Sequence, residues 1–348
     1  MSETKILKNN NSKTYNYGVD LIRIVAMFFV ILVHSTTFYG FNASQIDSFG
    51  LFLVGIGRYL SFSCVPLFIM LTGYLNSQKE PTFEYYIKIF KILLEFVLCG
   101  LIVFTFHFFY YKNITFVEFF KSISNFSFPP YSWYINMYLG LFLLAPFFNY
   151  IVKGLTKESA ILLVIILIII FSRAQFTTYW TAAYPIMYYI LGAIVKKYKI
   201  NLNKFVLCSI ILATCILQTF LSIHPIPKYS VENHRNLGCL IITVAIFLLL
   251  SNKTYQIVDG KKSKIFALTR TIANASLSTY LISSIFESIT YSYFGKLNII
   301  TFADKLPYLL WITPIKFIAS VIVGIAISLI TNWLYKSIKS LTNKKDFN

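Results

Sequence analysis

The chain has 348 residues, of which 57% are hydrophobic and 13% charged, and its mean hydropathy is +0.67. A soluble domain carries about 25% charged residues, so the composition excludes a soluble globular protein and indicates an integral membrane protein. The net charge of +18 does not indicate a nucleic-acid-binding protein, because the basic residues fall in short loops between apolar segments, a pattern that reports membrane topology. We expect membrane lipid, and no nucleic acid, among the partners.

Apolar runs of about 20 residues predict an all-α integral membrane protein with about ten transmembrane helices. The predicted spans are 18–39, 50–75, 86–110, 132–152, 159–173, 180–196, 204–222, 236–251, 271–291 and 307–335. They divide the chain into an N-terminal tail (1–16), a transmembrane domain (17–335) and a C-terminal tail (336–348).

The distribution of basic residues predicts the orientation of these spans. Most of the 31 lysines and arginines lie in the two tails and in every second loop. Loops rich in Lys and Arg stay in the cytoplasm, so both tails are predicted to be cytoplasmic, and an even number of spans agrees with this because it places both tails on the same side. We therefore expect a multi-pass protein of the cell (cytoplasmic) membrane.

The first span carries Asp20, Arg23 and His34 within an otherwise apolar run. Ionisable residues inside a membrane helix are costly and usually functional. Eleven residues separate Arg23 from His34, which is about three helical turns, so the two side chains share one face about 16 Å apart along the axis. Asp20 lies three residues before Arg23 and can pair with it on that face.

This spacing suits an anionic, elongated donor that has a reactive tip. A guanidinium group binds phosphate with paired hydrogen bonds, so Arg23 is the predicted anchor for a ligand that enters from the cytoplasm. His34 would act as a general base or as a transient acyl carrier. We therefore predict His34, Arg23 and Asp20 as the catalytic set. The alternative is an arginine that extends to the membrane surface and a histidine bonded to a neighbouring helix.

Several segments carry a resemblance to one family. The segment Asp20 to His34 resembles the opening motif of the membrane acyltransferase-3 family, an R-x10-H pattern with an acid three residues before the arginine. Further segments are similar to its later motifs, in order: Cys64-Val-Pro66-Leu-Phe-Ile-Met-Leu-Thr72-Gly73, Ser132-Trp133-Tyr134 through Gly140 to Pro146, and Ser276-Leu-Ser-Thr-Tyr280-Leu-Ile. Arg58 matches an arginine common in the surface-polysaccharide O-acyltransferase branch.

The resemblance implies transfer of an acyl group, usually acetyl, from cytoplasmic acyl-CoA to a hydroxyl of an envelope glycan or its lipid-linked precursor. It implies acetyl-CoA as donor substrate and no permanently bound cofactor, and we expect a stand-alone member without an extracytoplasmic hydrolase-like domain. The chain departs from the family at Ser132 and Ser283, where a histidine is common. The acceptor, the acyl chain and the oligomeric state stay open.

Basic residues elsewhere are candidates for binding the two substrates. Lys88 and Lys91, at the cytoplasmic start of the third span, would hold CoA phosphates, although topology alone would also place lysines there. Arg58 would contact the acceptor glycan or stabilise an oxyanion, and the alternative is an interfacial anchor.

Aromatic and acidic residues complete the predicted substrate-binding set. Trp133, Tyr134 and Tyr280 are candidates for lining the substrate channel, with packing as the alternative. Glu287 has no obvious partner and could orient an imidazole or line a polar cavity, whereas Glu95 could pair with Lys91. We predict no metal site, because the remaining histidines, His107, His224 and His234, lack metal-ligand spacing; the last two are expected in a solvated outer loop.

Two other functions account for part of the pattern. A transporter or flippase for a polysaccharide or lipid-linked sugar would explain the spans, the aromatic residues and the buried polar residues, but not an arginine and a histidine on one face. A glycan polymerase would normally carry catalytic groups in a large outer loop. Dependence on acyl-CoA distinguishes the acyltransferase from both.

Overall fold

The computed structural model describes residues 13–112, 114–172, 180–224, 233–257, 264–297 and 299–345. The ends of both predicted tails, residues 1–12 and 346–348, lie outside this part of the chain, as does the end of the predicted span 159–173. Within the described residues the chain forms a bundle of helices with one pair of short strands.

The helices follow one another with short connections. They are α1 (Gly18–Phe38), α2 (Phe49–Ser61), α3 (Cys64–Asn76), α4 (Phe83–Tyr86), α5 (Ile89–Phe106), α6 (Phe116–Ser124), α7 (Trp133–Gly154), α8 (Lys157–Ser172), α9 (Tyr184–Tyr198), α10 (Lys204–Ile223), α11 (Leu237–Ser251), α12 (Lys264–Asn274), α13 (Ser276–Lys296) and α14 (Phe302–Lys345). Short 3₁₀ turns occupy Phe41–Ala43 and Thr181–Ala183, and a π-helical turn, His107–Tyr111, ends α5.

Six helical segments of the described chain are long and apolar enough to cross a membrane. They are Gly18–Phe38, Phe49–Asn76, Phe83–Tyr111, Trp133–Gly154, Lys204–Ile223 and Phe302–Leu341, and α11 is a shorter apolar helix. The protein is therefore a helical, multi-pass membrane protein. The final helix is longer than the predicted span 307–335, since it begins at Phe302 and continues to Lys345.

The predicted span 50–75 is not a single helix, because the helix is interrupted between the end of α2 and the start of α3. Pro66 has no backbone N–H, so it cannot donate the helical hydrogen bond to the carbonyl of Phe62. That carbonyl instead lies 3.0 Å from Nδ1 of His234 and 3.5 Å from the thiol of Cys239. The break therefore leaves a backbone acceptor that is used by a different part of the chain.

The strand pair was not predicted from the sequence. β1 (Lys13–Asn16) pairs antiparallel with β2 (Thr254–Ile257), so that Asn16 lies opposite Thr254. The amide of Gly18 donates to the Lys253 carbonyl at 3.0 Å, and the side-chain amide of Asn16 donates to the Ser251 carbonyl at 2.9 Å. The start of α1 is thus joined to the end of α11.

Contacts of this kind define two ends of the bundle. We call the end at which α1 begins the proximal end, and the end at which α1 finishes the distal end. Hydrogen bonds join α11 to α9 through Asn252 and Ile200, α9 to α7 through Lys197 and Leu155, and α7 to α3 through Asn149 and Asn76. α3, α7, α9 and α11 therefore all finish at the proximal end.

Two glycines allow α3 and α9 to pack with their backbones in contact. A Cβ atom on Gly73 would lie 1.9 Å from the Tyr189 carbonyl oxygen, and one on Gly192 would lie 1.9 Å from the Met70 carbonyl oxygen. Small residues permit this close approach between membrane helices, where van der Waals packing is a main source of association. Gly73 of the sequence motif thus has a packing role.

We predict that Gly73→Ala destabilises the protein by at least about 1–3 kcal/mol. The added methyl group would overlap the Tyr189 carbonyl, and a backbone group cannot move aside by a side-chain rotation. Unfolding of the detergent-solubilised protein measures the change. Gly140→Ala is the matched control, since a Cβ there meets nothing within 4 Å. Equal stability of the two variants would contradict this account of the α3–α9 interface.

Candidate active site

The proximal part of α1 holds the predicted ion pair. Nη1 of Arg23 lies 3.2 Å from Oδ1 of Asp20, and their side chains are 26% and 6% exposed. Asp20 also lies in the first turn of α1, where a carboxylate is favoured by the helix dipole. The Asp20–Arg23 pair therefore leaves part of the guanidinium group accessible at the proximal end.

A cavity of about 290 Å³ extends from Arg23 into the bundle. Its walls come from α1, α3, α5, α7 and α13, and its polar lining includes Thr72 and Asn76 near Arg23. Val30, Tyr134 and Tyr280 line it further along. Val30 is seven residues after Arg23 and four before His34. Arg23, Val30 and His34 therefore lie on one face of α1.

His34 lies beyond this cavity, behind the ring of Tyr131. The imidazole stacks on Tyr131 with ring centroids 4.4 Å apart, and Phe38 stacks on it at 5.4 Å. The Tyr131 ring also lies 5.6 Å from that of Tyr280, whose hydroxyl donates to the Tyr131 carbonyl at 3.1 Å. Tyr131 therefore contacts both His34 and a wall of the cavity. Within the described residues, neither imidazole nitrogen of His34 takes part in a hydrogen bond.

A buried ion pair contacts Ser35, the residue that follows His34 in the sequence. Nζ of Lys316, on α14, is 2.9 Å from both carboxylate oxygens of Glu287, on α13, and donates to the hydroxyl of Ser35 at 2.6 Å. The Lys316 side chain is only 4% exposed. Glu287 thus has a lysine as its partner, although no partner was evident in the sequence. The pair holds the last turn of α1 against α13 and α14.

Arg58, on α2, also holds the last turn of α1. It is 1% exposed and donates to the hydroxyls of Thr36 and Thr37 at 2.5 and 3.0 Å. Its guanidinium group also lies over the rings of Phe41 and Phe62. Arg58 is therefore buried inside the bundle rather than placed at a solvated interface. It joins α1 to α2 directly after His34.

Besides Asp20, His34, Arg58 and Glu287, three more predicted residues lie outside the lining of the cavity. Trp133 is 45% exposed at the distal start of α7. Lys88 is exposed and Lys91 is half-buried at the proximal start of α5; Ile92, the next residue, lines the cavity. Of the predicted set, Arg23, Tyr134 and Tyr280 surround one cavity, and His34 is connected to it through Tyr131.

Two expectations about polar residues were wrong. His234 does not lie in a solvated loop: its Nδ1–H donates to the Phe62 carbonyl at 3.0 Å, and its own carbonyl accepts from Tyr188 at 2.6 Å. Burial lowers the pKa of His234 to about 4, so it is neutral at pH 7. Glu95 accepts a hydrogen bond from Ser278 on α13 rather than an i, i+4 salt bridge from Lys91, because its side chain points into the bundle.

Comparison with known proteins assigns the family. The family model Acyl_transf_3, described as an acyltransferase domain, matches residues 16–333, which is nearly the whole chain. The chain belongs to this acyltransferase family. It is therefore a membrane acyltransferase. No curated protein and no solved structure matches it.

Sequence reasoning missed two residues of the candidate site. Lys316 lies within the predicted span 307–335, and a lysine in an apolar helix requires a partner; Glu287 on the preceding helix was an available one. Tyr131 directly precedes the Ser132-Trp133-Tyr134 segment and carried no signal of its own. Its position follows from the fold of the chain before α7.

We predict that Lys316→Met destabilises the acyltransferase by about 3–5 kcal/mol, because it leaves the Glu287 carboxyl buried without its cation. The double variant Glu287→Gln/Lys316→Met should recover part of this loss. A double-mutant cycle on unfolding in mixed micelles measures the coupling. Lys296→Met, at the exposed end of α13, is the control and should change stability little. Additive effects of the two single changes would show that the ion pair is not energetically coupled.

Proposed function

We propose that the protein is a membrane O-acyltransferase that moves an acetyl group from cytoplasmic acetyl-CoA to a hydroxyl of a cell-envelope polysaccharide or its lipid-linked precursor. The observation that carries this proposal is the cavity that leads from Arg23 to Tyr280, whose ring contacts Tyr131, the ring stacked on His34. Within the acyltransferase family, this arrangement supports a donor that enters at the proximal end and reacts near the distal end.

The proposed topology has ten crossings, with the proximal end and both termini in the cytoplasm. The protein would thus be a multi-pass component of the cytoplasmic membrane. The basic residues of the proximal segments support this orientation, since Lys79, Lys153, Lys196 and Lys253 are exposed there. Acetyl-CoA, a cytoplasmic metabolite, would then meet the open end of the Arg23 cavity.

In the proposed complex, Arg23 binds a phosphate of the donor, and Lys88 and Lys91 supply further positive charge at the same end. Asp20 keeps the guanidinium group in place. The thin acyl-carrying arm of the donor follows the cavity along α1 and brings its thioester towards His34. The axial separation of about 16 Å between Arg23 and His34 suits a donor whose charge and reactive carbon are far apart.

The proposed chemistry needs one base. His34 accepts the proton of the acceptor hydroxyl, the hydroxyl oxygen forms an ester with the acyl carbon, and the carbon–sulfur bond breaks. The proton returns from His34 to the leaving thiolate, which gives the ester and free CoA. In the alternative route His34 attacks the thioester, the carbon–sulfur bond breaks, and CoA leaves with the imidazole proton. The acceptor hydroxyl then attacks the acyl-imidazole, forms the ester and gives its proton to His34. Both routes require an imidazole nitrogen that is available to substrate.

The acceptor is proposed to bind at the distal end. Trp133 is exposed there, and Tyr134 and Tyr280 provide aromatic faces against which a sugar ring can pack. Arg58 and Glu287 support this region from inside the bundle, because each fixes a part of the α1 turn that carries His34. Their proposed contribution to acceptor binding is to set the shape of that turn.

We predict that Arg23→Ala weakens acetyl-CoA binding about tenfold or more, since a charge-assisted hydrogen bond to phosphate is lost. His34→Ala should keep binding and lower turnover by about 10²–10⁴-fold through loss of the base. Binding and CoA release by the purified protein measure both effects.

Two exposed residues supply the controls for these variants. His224→Ala removes a histidine at the distal end of α10, and Lys336→Ala removes a cation near the proximal end of α14; both should behave like wild type. If the wild-type protein neither binds nor turns over acetyl-CoA, the acetyl-CoA-dependent O-acyltransferase proposal fails. Transport of a lipid-linked sugar then becomes the hypothesis to test.

A further prediction concerns Tyr131. Its ring, not a side-chain hydrogen bond, makes the contacts to His34 and Tyr280, so Tyr131→Phe should keep most of the activity. Tyr131→Ala removes the stacked ring and should lower kcat about tenfold with little change in donor affinity, because His34 is then free to rotate. Steady-state kinetics separate the two effects. Equal activity of the two variants would contradict a positioning role.

A further inference from the structure

A second cavity lies at the proximal end, where α3, α7 and α9 finish. Its volume is about 540 Å³, within the range of about 300–1,000 Å³ that is usual for small-molecule sites. Five lysines and one acid line it: Lys79, Lys153, Lys196, Lys197, Lys199 and Glu80. We call it the lysine cavity. Its charged residues come from three separate segments of the chain, so the fold gathers them at one place.

Two of the lysines already have contacts. Nζ of Lys197 donates to the carbonyls of Val152, Lys153 and Leu155 at 2.6–3.0 Å, which caps the end of α7. Nζ of Lys196 lies 4.6 Å from the centre of the Tyr74 ring. The side chains of Lys79, Lys153 and Lys199 are exposed, and no hydrogen bond to another described residue occupies their ammonium groups. These three are available to a ligand.

The three helix ends do not neutralise this charge. Each helix C-terminus carries a partial charge of about −0.5, so the three ends together contribute about −1.5. The formal charge of the lining side chains is +4, from five lysines and one glutamate. A positive excess therefore remains after the helix dipoles are counted. An anion is the ligand that this cavity favours.

The wall of the lysine cavity is fixed before any ligand binds. Asn149, which is 5% exposed, donates from its side-chain amide to the carbonyls of Asn76 and Lys79 at 2.7 and 2.8 Å. Its side-chain oxygen accepts from the Tyr189 hydroxyl at 2.8 Å. These bonds hold the turn after α3 against α7 and α9. A preformed site loses less entropy when it binds a ligand.

We propose that the lysine cavity is a binding site for a phosphate-bearing ligand. Lysine ammonium groups bind phosphate as point charges, and Ser77 and Gln78 add neutral donors to the lining. The phosphate has two possible sources: the headgroup of an anionic phospholipid of the proximal leaflet, or the nucleotide part of the donor. With a lipid the site goes beyond the proposed transfer reaction, and with the donor it rests on that proposed function and adds the place where the nucleotide binds.

Both sources fit the surroundings of the cavity. Pro146 and the half-exposed Tyr150 line one side of it, and on the lipid-facing surface of α7 beside them Phe147 is 54% exposed, which suits a lipid. The lysine cavity and the Arg23 cavity also meet at one turn, because Asn76 lines the latter and Ser77 the former. A long donor could extend across that turn.

Binding to the purified full-length protein tests the site at low salt in an uncharged detergent. The probes are dihexanoyl phosphatidylglycerol for the lipid and adenosine 3′,5′-bisphosphate for the nucleotide, with adenosine as the uncharged reference. The variant Lys79→Gln/Lys153→Gln/Lys199→Gln should weaken binding of at least one phosphate probe about tenfold or more. The matched control is Lys253→Gln/Lys264→Gln/Lys336→Gln, which removes equal charge from exposed lysines outside the cavity.

The outcomes identify the source. Selective loss of phosphatidylglycerol binding indicates a lipid site, and selective loss of bisphosphate binding indicates a donor site. The variant Lys79→Arg/Lys153→Arg/Lys199→Arg should retain binding, which separates lost charge from misfolding. The proposal is overturned if the wild-type protein binds neither phosphate probe, or if the cavity and control variants lose affinity equally. The acetyl-CoA turnover of wild type and His34→Ala stays an independent measure of the transfer reaction.

Discussion

The last turn of α1 places four polar side chains in succession, His34 to Thr37, and buries two of them, Ser35 and Thr36, inside an apolar helix bundle. Polar groups in such surroundings need partners, and the partners here come from different helices. Lys316 bonds Ser35, and Arg58 bonds the two threonines. Each buried cation is costly to desolvate, and removing the partner of either would leave a charge inside the bundle. The turn is therefore held from two sides, and the imidazole can keep one orientation against Tyr131.

This constraint is consistent with the proposed division of donor binding and catalysis between the two ends of a single helix. α1 carries a partly accessible guanidinium group at one end and a stacked imidazole at the other, and the cavity lies along the face between them. The close backbone contact of α3 with α9 at Gly73 and Gly192 gives that cavity a stiff wall. Rigid helices are better suited than loops to hold reacting groups in register.

Patterns along the sequence predicted part of this arrangement. Hydropathy indicated a helical membrane protein, and spacing alone placed Asp20 beside Arg23, which the structure shows as an ion pair. Spacing within one helix says nothing about neighbouring helices, so the partner of Glu287 and the ring on His34 could not be found in this way. The burial of His234 could not be predicted either, since it depends on a carbonyl that Pro66 leaves without its helical donor.

The pairing of β1 with β2 has a consequence for the order in which the protein is assembled. The side chain of Asn16 bonds the carbonyl of a residue 235 positions later in the chain, and Gly18 packs against the Leu250 carbonyl. During synthesis the first helix emerges long before these partners exist. The proximal end of α1 can therefore form its final contacts only after α11 has been synthesised. Contacts of such long range slow folding, so the helix that carries His34 completes its packing late.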